Sequence, residues 1–358
     1  MTMEQESNFR DSRLKGTMTW LLKLLGIALA IWLIRRTLQN ANADLVSALS
    51  TALKAPLALA VLLYGVVNWI AAWRWGVLLR VQGIRISQFD LFRLTLIGVF
   101  FSNIIPGSIS GDLVKIAYLM RYAGERKAEA ILTIALDRII GLSGLFLVAI
   151  VSTILLWLSY PQILMQGGIV VYAIAAVCSG GVAVLLGAGV IAMREPILRI
   201  RFIGSMVAFG ARVLPKRLTD LIGRLIMAVD LYRKYPIATV KVLLASCCIH
   251  TMLAAMNFLF GKAFHEQVMT PLQYVITTQL GNVTGLFPLT PGGMGIRDTV
   301  TSYFLNVFGA SPQEAMALIP VTYSLVFVAW AVVGAIFMVT NRAPKDRTAP
   351  SPSSVDRV

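Results

Sequence analysis

Apolar runs of about 20 residues, each long enough for a helix to cross hydrocarbon, recur along this chain. Inside a bilayer no water satisfies the backbone, so such runs must be helical or belong to a closed barrel. Continuous apolarity, without period-two alternation, selects helices. Six spans are expected: Thr17 to Ile34, Pro56 to Leu79, Lys127 to Leu158, Ile169 to Met193, Ile237 to Phe260 and Pro312 to Thr340. Of the 358 residues 57% are hydrophobic and 14% charged, too few charges to cover a soluble domain. The expected class is an all-α polytopic membrane protein.

Two further apolar segments are short and broken. Leu91 to Ile105 precedes Pro106-Gly107-Ser108-Ile109-Ser110-Gly111-Asp112, with a second short stretch to Met120. Leu272 to Leu289 precedes Pro291-Gly292-Gly293-Met294-Gly295-Ile296-Arg297-Asp298 and a stretch to Phe308. Proline and clustered glycine stop a helix and permit a tight turn. Both segments therefore read as re-entrant helical hairpins that descend to mid-membrane and return. The second descending arm is long enough that a full span stays open as an alternative.

The two turns begin 185 residues apart, at Pro106 and Pro291, and the flanking spans keep nearly that offset. Span, hairpin, span thus occurs twice, over about 56–158 and 237–340. Basic residues fix the orientation, because cytoplasmic loops are enriched in Lys and Arg. Arg80, Arg85, Arg121, Arg126, Lys127, the segment 194–235 and Arg342, Lys345 and Arg347 all fall on one side if both termini are cytoplasmic. Arg35 and Arg36 then fall outside. With this topology the hairpins enter from opposite faces, giving the inverted repeat common in secondary transporters. Residues 1–16 are expected to form a cytoplasmic N-terminus and 341–358 a disordered cytoplasmic tail. The expected location is the inner cell membrane.

The net charge of +15 raises nucleic acid as a partner. The basic residues sit in short segments between spans, so positive-inside topology accounts for them and no nucleic-acid partner is expected. Cys178, Cys247 and Cys248 lie inside apolar runs without metal-ligand or disulfide spacing. Lys23 interrupts the first apolar run, which reads as an uncleaved anchor and not a signal peptide.

Ionisable residues within spans are costly and therefore candidates for function. They are Arg74, Asp112, Lys115, Asp137, Arg138, His250, Arg297 and Asp298. Asp112 and Lys115, three apart on a helix, can pair locally. Asp137 and Arg138 point about 100° apart, so each must find its partner elsewhere. Arg74, between Trp73 and Trp75, reads as snorkelling to the interface. His250 reads as a packing residue. The returning helix of each hairpin would present free N–H groups to an anion at mid-depth. Gly107, Gly111, Gly292, Gly293 and Gly295 would admit an oxyanion, with Arg138 and Arg297 as counter-charges. Asp137, Arg138, Arg297 and Asp298 could equally lock the two halves as buried ion pairs. His265 and Glu266 have no nucleophile-base set around them, and no nucleotide-binding motif appears. No enzyme activity and no cofactor are expected.

The hairpin motifs, Leu136-Asp137-Arg138 with Gly141, and above all Pro288-Leu289-Thr290-Pro291-Gly292-Gly293-Met294-Gly295-Ile296-Arg297-Asp298 carry a resemblance. They resemble the lysylphosphatidylglycerol synthase transmembrane-domain (flippase-like) family, with Asp298 where Glu is usual. The resemblance implies translocation of an anionic phospholipid or isoprenoid-linked phosphate between leaflets. It implies no aminoacyl transfer, for which no domain is expected here. The alternative is a non-transporting membrane scaffold that docks a lipid-modifying enzyme through the basic segment.

Overall fold

The computed structural model describes residues 24–105, 110–124, 126–161, 168–192, 232, 234–286 and 289–340, and every regular element among them is helical. Helix α1 covers residues 24–40. It is followed by α2 (Leu45–Thr51), α3 (Lys54–Val81), α4 (Gln88–Ile104), α5 (Ser110–Leu119), α6 (Lys127–Ser159) and α7 (Ile169–Ala192). Then come α8 (Pro236–Ala263), α9 (Pro271–Thr284), a 3-10 turn at Pro291–Gly293, α10 (Ile296–Val307) and α11 (Ala315–Thr340). Residues 1–16 and 341–358, and almost all of the basic segment 194–235, lie outside the described residues.

Helices α3, α6, α8 and α11 are long and apolar enough to cross a membrane. Helix α7, 24 residues long, matches the expected fourth span, and α1 lies partly within the first. Local chemistry sets the shorter elements. Ser87 caps α4 by accepting from the Asp90 N–H. Thr270 and Gln273 close a capping box at the start of α9, with Pro271 in the first turn. At 17 and 14 residues, α4 and α9 reach only about 25 and 21 Å, short of a roughly 30 Å core. Both descending arms are therefore shorter than a full span.

The repeat is visible in the packing. Helices α3 and α8, each 28 residues, form the most extensive helix contact in the chain as described. They run antiparallel. The Leu53 N–H before α3 donates to the Ala263 carbonyl ending α8 at 3.0 Å. At the opposite end the Tyr232 hydroxyl, just before α8, donates to the Leu78 carbonyl at 2.9 Å. Corresponding helices of the two halves thus point in opposite directions, and the repeat is inverted. Each hairpin packs against the last long helix of the other half: α4 lies along α11, and α9 along α6.

The two hairpin ends meet each other. Helix α4 packs on the Pro291–Gly293 turn, and a side chain at Gly292 would strike the Asn103 amide. Helix α1 closes the outside of the second hairpin, with the Thr37 and Thr299 hydroxyls 3.1 Å apart.

This topology puts the α5–α6 and α8–α9 connections on opposite faces. Single cysteines at Gly124 and His265, both exposed, should label with an impermeant thiol reagent from opposite sides of sealed vesicles. Labelling from one side would contradict the inverted arrangement.

Candidate functional site

Where the hairpin ends meet α3, α6 and α8, the chain surrounds a partly open cavity of about 640 Å³. Seven of the candidate residues line it: Gly111, Asp112, Lys115, Asp137, Arg138, Gly292 and Gly293. Arg74 and His250 line it as well. Gly295, Arg297 and Asp298 do not, and Gly107 lies outside the described residues.

Asp137 and Arg138 do find separate partners. Asp137 accepts from Arg74 twice, at 2.8 and 3.0 Å. Asp112 accepts from Arg138 twice, at 2.6 and 2.9 Å. Both pairs are bidentate, the strongest geometry available to a guanidinium and a carboxylate. Arg74 also donates to the Ser246 hydroxyl at 2.7 Å, tying both halves of the repeat together. Ser246 sits where a side chain at Gly144 would collide, so α6 and α8 are in close contact there.

Two expectations change. Arg74 does not snorkel to the interface, because it is 7% exposed and committed to Asp137 and Ser246. Flanking tryptophans suggested an interfacial position, but the antiparallel contact with α8 buries this end of α3. Nor do Asp112 and Lys115 bond directly to each other; both oxygens of Asp112 accept from Arg138. Among the described residues Lys115 has no carboxylate within ion-pair distance and no hydrogen-bond partner. Its stem crosses Gly98 of α4, and its ammonium lies 5.5 Å from the centre of the Trp75 ring.

In the second half, Asp298 is fully buried and holds a different set of partners. It accepts from the Gly295 N–H at 2.9 Å and from the Ser324 hydroxyl at 2.7 Å. Arg297 donates to Ser324 at 2.7 Å and stacks against Tyr323 and Phe327, 4.6 and 4.5 Å from the ring centres. Its Nε is 3.6 Å from Asp298. The start of α10 therefore faces its own carboxylate, and the Arg297 charge is enclosed by α11.

The two halves share one device. A first-turn aspartate of the returning helix reaches the next long helix, and in both halves its partner is 26 residues on. In the first half that partner is Arg138, half exposed beside the cavity. In the second it is Ser324, buried away from it.

Glycines at the turns answer to packing. A side chain at Gly111 would strike the Gly98 carbonyl, and one at Gly293 (φ 71°) would strike the Gly285 backbone. Both positions require close approach of main chain to main chain. His250 bonds through Nε2 to the Gly141 carbonyl at 3.1 Å, in keeping with a packing role. Glu266 is buried, accepting from the Val268 and Met269 N–H groups and the Tyr274 hydroxyl. It organises the entry to α9 beside the exposed His265.

Removing Arg297 should strand a buried carboxylate. Arg297→Gln is expected to destabilise the protein by about 3–5 kcal/mol. Ser324→Ala should cost less, about 1–3 kcal/mol. Thermal unfolding in detergent reads both, and an unchanged Arg297→Gln would contradict this role.

A family model described as the lysylphosphatidylglycerol synthase TM region matches residues 20–343. Comparison with curated proteins gave no match. The matched region spans nearly all of the chain, which therefore belongs to this membrane family related to lipid handling.

Proposed function

We propose that this family member moves an anionic lipid headgroup between leaflets through the cavity at the repeat interface. The observation that carries this reading is Lys115, which lines the cavity and, among the described residues, has no carboxylate within ion-pair distance. An ammonium at this depth costs several kcal/mol unless it is paired or wetted. A phosphate group arriving beside it would supply the missing charge. Arg138 is the second contact, because its guanidinium accepts phosphate in the same bidentate manner as a carboxylate.

This reading moves the anion away from the helix ends. The α10 terminus already holds its own carboxylate, and the Arg297 guanidinium is enclosed by aromatic rings and Ser324. Lys115 and Arg138, on the first hairpin and on α6, are the cations left facing open volume with Arg74 behind them. Inverted halves meeting at mid-depth supply the two-sided geometry that exchange between leaflets requires.

Lys115→Gln tests the proposal with little structural confusion, because no ion pair is broken. Charge-assisted contacts are worth about 1.5–3 kcal/mol, so the variant should exchange labelled anionic lipid in proteoliposomes at least about tenfold more slowly. Its thermal stability should match the wild type. Normal exchange by a folded Lys115→Gln would overturn the proposal, and would favour a scaffold whose role needs no open cavity.

A further inference from the structure

Resting on that reading, we infer that the cavity selects a headgroup carrying one net negative charge, a phosphodiester, over a phosphomonoester or pyrophosphate, and that Lys115 sets this selectivity. The argument is a charge inventory. Ionisable side chains at the cavity are Arg74, Asp112, Lys115, Asp137, Arg138 and His250. Two bidentate pairs, Arg74 with Asp137 and Arg138 with Asp112, cancel four of these charges. His250, whose Nε2 bonds to the Gly141 carbonyl, counts as a neutral imidazole. Among the described residues the sum is one positive charge, carried by Lys115 when it is protonated.

Uncompensated charge at membrane depth is expensive in either sign. A monoanion brings the site to neutrality, and a dianion overshoots by one. A zwitterion leaves Lys115 unbalanced and adds a second cation beside it.

The geometry also points to a lipid, and not free phosphate, as the source of the anion. Arg138 lies 11 residues beyond the start of α6, roughly 16 Å along it, yet its side chain is 51% exposed. Leu113, Ile131 and Ile139 are exposed on the same two helices. Helix α10 packs closely along α11, whereas α5 touches α6 sparingly. Leu119, Ala130 and Ile134 belong to one apolar cluster, and the Asp112–Arg138 pair joins the two helices as well. The cavity therefore opens sideways at the α5–α6 seam, where a headgroup can enter while its acyl chains stay in the bilayer.

Native mass spectrometry of the full chain in detergent tests this with four probes: phosphatidylglycerol, phosphatidate, phosphatidylcholine and inorganic phosphate. At about pH 8 phosphatidate is largely dianionic, and near pH 5.5 it approaches one charge. Wild type should favour phosphatidylglycerol over phosphatidylcholine, and over phosphatidate at the higher pH, by about tenfold. Acidification should close the phosphatidate gap while leaving phosphatidylglycerol binding unchanged. Lys115→Gln should lose the preference for phosphatidylglycerol over phosphatidylcholine while still binding lipid. Phosphatidate matching phosphatidylglycerol at about pH 8, or a preference that survives Lys115→Gln, would overturn the selectivity. Inorganic phosphate binding as tightly as either lipid would overturn the lipid source. If neither anionic lipid exceeds phosphatidylcholine, the translocation reading falls together with this one.

Discussion

Two pairs of helices, each opened by a helix too short for a full span, set the terms for everything else in this molecule. A broken helix end exposes unpaired N–H and C=O groups, which hydrocarbon cannot satisfy. Protein must cover them, and here each hairpin end is covered by the other. Helix α4 packs on the Pro291–Gly293 turn, and Gly292 leaves room for Asn103. That mutual cover is possible because the halves are inverted, as the antiparallel contact of α3 with α8 requires. The cavity is the space left where two short hairpins meet inside a frame of long helices.

Inversion would by itself give two equal sites, and the chain does not have them. Both halves carry an aspartate in the first turn of the returning helix, joined to the following long helix 26 residues later. In the second half the join is to a serine, the charge is balanced by Arg297 next door, and aromatic rings seal the group. In the first half the join is to Arg138, half exposed, with Lys115 left over. The second hairpin behaves as a closed support, and the first carries the exposed charge. The polar work of the cavity falls on one repeat while its geometry depends on both.

Much of this was legible in the sequence. Two proline-glycine turns within apolar spans of matched offset read as a repeat, and the placing of Lys and Arg between the spans reads that repeat as inverted. Asp137 and Arg138 announced separate partners through their 100° divergence on a helix. What the sequence hid was set by neighbours from distant segments. Arg74 looked interfacial beside two tryptophans, since nothing local tells that α8 and Ser246 cover it. Arg297 looked like a ligand, since Tyr323, Ser324 and Phe327 lie on a helix that follows it by more than a turn and a loop. The turn glycines looked like room for an oxyanion; Gly111 and Gly293 line the cavity, and each also lets main chain approach main chain, at Gly98 and Gly285. Lys115 stood out only after Asp112 proved to belong to Arg138.

The central claim is that an anionic headgroup sits at mid-membrane depth between the two hairpins, neutralising Lys115. An experimental map of the protein in nanodiscs rich in anionic lipid tests it most directly. The account predicts headgroup density inside the cavity, with a phosphate oxygen about 3 Å from the Lys115 ammonium and the Arg138 guanidinium. Acyl-chain density should lead out between α5 and α6. A cavity closed by side chains, with Lys115 paired to a carboxylate of the protein and headgroups confined to the membrane surface, would contradict it.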